Sequence, residues 1–170
     1  MGAGILPIAL HKNKLYFLFG KEVKSTSPGW SDFGGSTENH EPPKKTALRE
    51  GYEELSGFFG TKKELENMVE KKEIFTLENT NKGGYYKTFL FKVDYDVNMP
   101  SYYNNNFKFI KTNLEHLVDS HNGYFEKSEI KWFTKDELIK NKKKFRHFYQ
   151  NIVNEIINNY DDILNNTKNI

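Results

Sequence analysis

The segment from Trp30 to Gly57 constrains the fold of this chain more than any other. Its aromatic start ends at the pair Gly34-Gly35, and two adjacent glycines indicate a backbone that approaches another group closely or adopts a positive φ. Pro42-Pro43 follows, and proline suits the first turn of a helix because the N–H that it lacks would have no partner there. The segment therefore predicts a strand, a loop and a helix in that order.

The predicted helix carries three glutamates, Glu50, Glu53 and Glu54. Residues three and four apart share a helix face, so these carboxylates should point toward one volume and repel one another. Mg²⁺ suits that volume because it takes carboxylate oxygens, retains several waters and completes its shell with substrate phosphates. Arg49 adds a cation that can bind a carboxylate through two parallel hydrogen bonds. Three glutamates alone would more often form a solvated helix face, but the glycine-ended strand before them favours the metal site.

The spacing from Gly35 to Gly57 resembles the Nudix box, G-x5-E-x7-R-E-U-x-E-E-x-G-U, in which U is an aliphatic residue. The matched positions are Gly35, Glu41, Arg49, Glu50, Glu53 and Glu54. At average residue usage, these types coincide at a given start with a probability on the order of 10⁻⁷. Downstream, the phrase EKSEIKWFTKDEL resembles the segment with which Nudix domains enter their last strand and helix.

Two positions depart from the box. Gly51 stands at the aliphatic position, where glycine weakens a helix by about 1 kcal/mol relative to alanine, and we expect a close backbone contact to be its reason. Ser56 stands where the box has glycine, and Gly57 follows one place later. We expect the helix end to shift by one residue, with Phe58 and Phe59 returning to the core.

The resemblance implies a fold and a site. The fold is of the α/β class, a Nudix-type α/β/α sandwich with a mixed β-sheet, formed by residues 1–170 as one domain. The implied ligands of Mg²⁺ or Mn²⁺ are the Gly35 carbonyl, Glu50, Glu53 and Glu54. Glu53, Glu54 and Arg49 would be catalytic, with Arg49 orienting Glu53, and Glu41 and Gly34 would support them.

Nudix enzymes often recruit a further carboxylate from a downstream loop, as metal ligand or general base. The segment before Trp132 is where the resemblance places it, with Glu129 as the first choice and Glu126 as the second. Glu115 and Asp119 remain open as alternatives. Both first candidates also fit a half-exposed strand whose polar residues face water, because polar and apolar residues alternate there.

The candidates for substrate binding are aromatic. Trp30 and Phe33 lie in the strand before the box, and Tyr102 and Phe107 lie in the Asn-rich segment 96–109, which we predict to be irregular. Those rings would either pin the segment to the surface or form a lid against which a base stacks.

The implied reaction is attack of water on a phosphoanhydride of a nucleoside diphosphate linked to another moiety. Nucleoside triphosphates, dinucleoside polyphosphates, nucleotide sugars and the 5′ cap of messenger RNA all fit, although the lack of a basic extension counts against long RNA. The alternative is a Nudix-fold module that binds a nucleotide without cleaving it. The presence of all three box glutamates favours catalysis.

Composition limits the other kinds of protein that this chain could be. The chain has 170 residues, no cysteine and a formal net charge of +2, which fits one compact domain and gives no general reason to bind polyanions. It has no apolar run that approaches a membrane span and no signal-peptide pattern, so we expect no membrane partner and a cytoplasmic location. The basic run from Lys140 to Arg146 is interpreted as a solvated surface, and the histidines lack metal-site spacing. The oligomeric state stays open.

Periodicity predicts the remaining elements. Strands are expected at residues 5–10, 15–20, 73–77, 85–95 and 124–133, the first two forming a hairpin. Helices are expected at 62–70 after Thr61, at 112–121, and after a capping box at 134–137, with a loop at 24–29. An apolar stripe at helical spacing from Phe145 to Tyr160 should face the core.

Overall fold

The computed structural model describes residues 1–22, 28–81, 84–118 and 124–170. Its strands are β1 (Gly2–His11), β2 (Lys14–Glu22), β3 (Trp30–Ser31), β4 (Phe33–Ser36), β5 (Glu73–Asn81), β6 (Gly84–Lys92) and β7 (Lys127–Phe133). Its helices are α1 (Pro43–Glu54), α2 (Lys62–Lys72), α3 (Met99–Asn113), α4 (Glu115–Val118), α5 (Lys135–Asn141), α6 (Gln150–Asn158) and α7 (Tyr160–Lys168), with 3₁₀ turns at Lys142–Lys144 and His147–Tyr149. Most of the predicted loop at 24–29 lies outside the described residues.

The strands of the described chain form one mixed sheet. β1 lies centrally, antiparallel to β2 and β4 and parallel to β6. β3 and β7 pair with β2, and β5 pairs with β6, all antiparallel. The expected mixed sheet is confirmed.

Helices cover both faces of the sheet. Ile5 of β1 joins a core with residues of α1, α2 and α3, whereas Leu6 joins a second core with residues of α6 and α7, because successive strand residues point to opposite faces. The predicted stripe from Phe145 to Tyr160 supplies much of the second core, where Ile152 and Val153 are buried. This is the expected α/β/α sandwich, with the box helix α1 on one face.

Local sequence signals are confirmed at one hairpin turn and at the starts of two helices. Lys12 and Asn13 connect β1 to β2 with φ values of 49° and 60°, which the two central residues of a type I′ hairpin turn require. Thr61 and Thr134 each form a capping box with the glutamate three residues later.

The segment 96–109 is not irregular, and that prediction is wrong. Most of it belongs to α3, which has Pro100 in its first turn. Asparagine disfavours helix, but Tyr103 and Phe107 lie four residues apart and bury one face of α3, which packs beside β7. Packing therefore outweighs propensity here. The helix predicted at 112–121 appears as the end of α3 and the short α4, and residues 119–121 lie outside the described chain.

The end of α1 also differs from the prediction. The helix ends at Glu54, and Ser56 itself adopts a left-handed φ of 50°, followed by Gly57 at 77°. Because Ser56 takes the conformation that the box glycine would take, the expected shift by one residue is wrong. Phe59 is buried and Phe58 packs against the core, as predicted.

None of the described helices is both long and apolar enough to cross a membrane.

Candidate functional site

The box helix packs directly on the central strand because it has a glycine at the contact. A Cβ at Gly51 would lie 2.3 Å from Cδ1 and 2.4 Å from Cγ1 of Ile5. Ile5 therefore fills the space that the aliphatic residue of the box would take. The expected close contact is confirmed, and it brings the glutamates of α1 to the edge of β4.

Gly34 and Gly35 allow β4 to lie against its neighbours. A Cβ at Gly35 would lie 2.4 Å from the carboxyl carbon of Glu50, and one at Gly34 would lie 2.4 Å from Cα of Gly4. Neither glycine has a positive φ, so close approach alone explains the pair. The structure thus places Gly35 and Glu50, two predicted ligand residues, in contact.

Arg49 binds three carboxylates. Its Nη1 donates to Glu50 Oε1 at 2.8 Å, and its Nη2 donates to Glu41 Oε1 at 2.8 Å. Glu53 is held less closely than predicted, with Oε2 at 3.7 Å from Nη1. Nη2 also donates to the carbonyl oxygen of Ser36 at 3.1 Å, which ties α1 to the end of β4. Because three carboxylates share one guanidinium, these four side chains carry a net charge of −2.

The surroundings of this acidic group disfavour the ionised form of two of its carboxylates. Desolvation raises the pKa of Glu50, and desolvation followed by repulsion from Glu50 raises the pKa of Glu53. The hydrogen bond from Arg49 lowers the pKa of Glu41. An added cation near Glu50 and Glu53 would relieve the repulsion between them.

Glu54 points away from Arg49 and into the protein. Its side chain is only 3% exposed; Oε2 accepts the Gly34 N–H at 2.7 Å, and Oε1 lies 3.1 Å from Nζ of Lys127. Burial raises the pKa of Glu54, while the Lys127 ammonium opposes that shift. Both carboxylate oxygens accept hydrogen bonds, as those of an ionised group do. Glu54 and Lys127 therefore form a buried ion pair.

Among the described residues, Glu22, Glu54 and Glu126 form a group of three carboxylates whose oxygens come within 4.8 Å of one another, close enough to share a cation. The predicted trio of box glutamates does not form such a group. Arg49 holds Glu50 on one side, and Lys127 holds Glu54 on the other.

The downstream carboxylates proposed as metal ligand or general base lie in different surroundings. Glu126 is exposed, belongs to the group with Glu22 and Glu54, and its charge contributes to the raised pKa of Glu53. Glu129 instead pairs with Lys21 at 3.5 Å. Glu115 is exposed on α4, and Asp119 lies outside the described residues. Of the two first candidates, the structure brings Glu126 to the box glutamates.

A buried carboxylate, Asp32, holds the start of β4 in place. It is 1% exposed and accepts hydrogen bonds from the hydroxyls of Tyr86 at 2.8 Å and Thr88 at 2.9 Å. Burial raises the pKa of Asp32 from 3.8 to about 6, against the effect of these bonds. Gly4 provides the space, since a Cβ there would lie 2.5 Å from Asp32 Oδ2. The start of β4 is thereby tied to β6.

A cavity of about 260 Å³ opens beside Gly35. It is lined by the first two residues of the chain, by Gly34 to Ser36, by the start of β6, and by Arg146 and Phe148. The Arg146 guanidinium carbon lies 5.0 Å from the centre of the Phe148 ring, and Nη1 donates to Glu22 Oε2 at 3.2 Å. An aromatic ring can stack on a nucleobase, and a guanidinium can bind a phosphate.

Solved structures share this architecture. The structure of a C. elegans Ap4A hydrolase binary complex is similar with a TM-score of 0.59 and 15% identity, over 97% of this chain and 98% of that chain. RenU, a Nudix hydrolase from M. smegmatis, is similar with a TM-score of 0.55 and 14% identity, over 94% of this chain and 85% of that chain. This chain has the Nudix fold. No family model matches the chain, nor does any curated protein.

Within this Nudix fold, three of the four aromatic candidates for substrate binding are core residues. Trp30, Phe33 and Phe107 are buried, so their rings are not available to a ligand. Tyr102 is exposed on α3. Their aromatic character reflects packing, which a strand or helix next to a Nudix box also requires.

The candidate site contains residues that the sequence did not indicate. Phe148 was assigned only to the core stripe and Arg146 only to a basic surface, yet both line the cavity. No motif marks either residue, because the wall of the cavity is formed by segments that are distant along the chain. Glu22 belongs to no motif, and Lys127 lies in the phrase EKSEIKWFTKDEL, which does not predict that its side chain is buried.

Proposed function

We propose that this protein is a Mg²⁺-dependent hydrolase that cleaves a phosphoanhydride bond of a nucleoside diphosphate linked to another moiety. The observation that carries the proposal is the position of Gly35. The Glu50 carboxylate packs against this glycine, and the same glycine lines the cavity. A diphosphate whose nucleoside occupied the cavity would therefore extend toward the acidic group on α1.

The residues fit a hard divalent cation. The group formed by Arg49, Glu41, Glu50 and Glu53 carries a net charge of −2 and offers only oxygen ligands, which Mg²⁺ and Mn²⁺ prefer. We propose that Glu50, Glu53 and the Gly35 carbonyl hold the ion, and that Glu54 supports them from the buried side. Bound Mg²⁺ would neutralise the diphosphate and make the attacking water more acidic.

The remaining chemistry belongs to side chains of the chain. Arg49 keeps Glu50 and Glu41 in place through short hydrogen bonds, so the proposed ligand Glu50 is preorganised. We assign the role of general base to Glu126, because it is exposed and its charge contributes to the raised pKa of Glu53. Arg146 lines the cavity, and we propose that its guanidinium binds a phosphate there.

The cavity favours nucleotides over other diphosphates. Its volume of about 260 Å³ is near the lower end of ligand pockets and suits one nucleoside. A solved relative in fold is named an Ap4A hydrolase, which supports dinucleoside polyphosphates as the first substrate class to test. Nucleotide sugars and capped RNA remain in the panel.

The deciding experiment incubates the protein with Mg²⁺ and dinucleoside polyphosphates, nucleotide sugars, nucleoside triphosphates and a capped RNA, and identifies the phosphate-containing products. We expect cleavage of at least one substrate, abolished by excess chelator and in Glu53→Gln. Binding of a nucleotide without cleavage would replace the proposal with the sensor alternative. Turnover that persists in excess chelator would contradict it.

A further inference from the structure

Lys127 is a completely buried cation inside the acidic site. Its side chain is 0% exposed, and Nζ donates to Glu22 Oε2 at 2.9 Å and to Ser31 Oγ at 3.1 Å, with Glu54 Oε1 also at 3.1 Å. An ammonium has three N–H donors, and three oxygens lie within reach of them. Buried lysines are rare unless they are paired, so this contact set accounts for the position.

The fold builds a defined place for this side chain. Gly20 on β2 leaves room, since a Cβ there would lie 2.8 Å from Lys127 Cγ. The ladder between β2 and β7 shifts register between Lys21 and Glu22, and this irregularity pairs Glu22 with Lys127. The Tyr103 hydroxyl reaches the carbonyl oxygens of both Glu54 and Lys127, at 2.7 and 3.2 Å. The lysine is therefore fixed by its backbone as well as by its ammonium.

The place that Lys127 occupies is one that could otherwise hold a metal ion. Glu22, Glu54 and Glu126 have oxygens within 4.8 Å of one another, and the ammonium already binds two of these three residues. A divalent ion in the same place would compete for the same oxygens and would be repelled by the ammonium. Arg146 adds a further positive charge on Glu22.

We propose that Lys127 is the resident cation of the Glu22–Glu54 pair, and that it lowers by one the number of divalent ions that this acidic site binds. The proposal rests on the proposed function, because it concerns the same metal site. Lys127 acts as a positioning residue that keeps Glu22 and Glu54 out of the metal shell. The divalent ion is then left to Glu50, Glu53 and the Gly35 carbonyl.

The test counts bound Mn²⁺ ions by titration calorimetry and by the spin-resonance signal of free Mn²⁺. In Lys127→Met, which keeps much of the side-chain volume but lacks the charge, we expect one more bound Mn²⁺ per chain than in the parental protein. The matched control is Lys21→Met, an exposed lysine of the neighbouring strand, which should leave the count unchanged. An unchanged count in folded Lys127→Met would overturn the inference.

A second variant keeps the inference testable if Lys127→Met does not fold. Glu22→Gln retains an oxygen for Lys127 and Arg146 and removes one negative charge. We expect the same Mn²⁺ count as in the parental protein, because Glu22 is committed to Lys127. A count lower by one would show that Glu22 is a metal ligand and would overturn the inference. A parental protein that binds no Mn²⁺ would instead contradict the proposed function itself.

Discussion

At the scale of single residues, the box glutamates differ in what surrounds them. Glu53 is partly exposed and is repelled by neighbouring carboxylates, whereas Glu54 is buried against Lys127. Equal residue type and adjacent position therefore do not mean equal role. The sequence alone leads one to expect that glutamine at either position would leave the fold intact, and the structure supports that expectation only for Glu53.

We expect Glu53→Gln to hold or slightly raise the free energy of unfolding, because it relieves repulsion from Glu50. Glu54→Gln should lower it by about 1.5 to 3 kcal/mol, because a charged hydrogen bond to a buried lysine is lost. Urea unfolding of both variants in excess chelator measures the difference. Equal stability of the two would contradict the buried ion pair.

Glu126 and Glu129 are compared by the rate of turnover. At saturating Mg²⁺, loss of a general base should lower kcat by roughly 10²- to 10⁴-fold with little change in KM, and we expect this for Glu126→Gln. Glu129→Gln should stay near the parental rate, because its carboxylate pairs with Lys21. A large loss of kcat in Glu129→Gln, with little loss in Glu126→Gln, would identify Glu129 as the general base instead.

Asp32 should give the stability a distinct dependence on pH. Its pKa is raised from 3.8 to about 6, so between these values the folded state holds a proton that the unfolded state has lost. Its contribution to stability is therefore fully favourable below pH 3.8 and declines, by about 3 kcal/mol in all, as the pH rises through 6. The free energy of unfolding of the parental protein minus that of Asp32→Asn should fall by this order between pH 4 and 7. A difference that does not vary with pH would refute the assignment.

At the scale of elements, the contact between α1 and β1 depends on Gly51 and Ile5. Gly51→Ala should cost about 1 to 3 kcal/mol through overpacking, more than the helix gains from alanine. In an Ile5→Ala background the clashing atoms are gone, and the same substitution should be neutral or stabilising. Unfolding of the four proteins in urea gives the coupling energy. Additive effects would show that the two residues do not compete for one space.

Elements formed by local signals were predicted well, and those formed by packing were not. The hairpin turn at Lys12-Asn13 and the capping boxes at Thr61 and Thr134 depend on neighbouring residues, so the sequence predicts them. Helix α3 depends on burying Tyr103 and Phe107, which outweighs its asparagines. The left-handed conformation of Ser56 depends on how the end of α1 packs against the core. A serine at this position does not predict it.

At the scale of the whole molecule, metal binding should stabilise the folded state. At 100 times its dissociation constant, Mg²⁺ would add about 2.7 kcal/mol and raise Tm by roughly 5 to 10 °C. Thermal unfolding with Mg²⁺ and with chelator measures this, and Glu53→Gln should show a much smaller shift. If neither Mg²⁺ nor Mn²⁺ changes the Tm of the parental protein, the proposed metal site is contradicted.

The sequence by itself determined the order of strand, loop and box helix and the candidate metal chemistry, because fixed spacings along one helix set which side chains share a face. The α/β/α sandwich was implied by the resemblance to the Nudix box. Only the tertiary structure decided that Glu54 pairs with Lys127, that Glu126 rather than Glu129 lies at the box glutamates, and that Arg146 and Phe148 line the cavity. Each of these contacts is made between residues that lie far apart along the chain. Contacts between distant segments depend on how the elements pack, and no local periodicity encodes them.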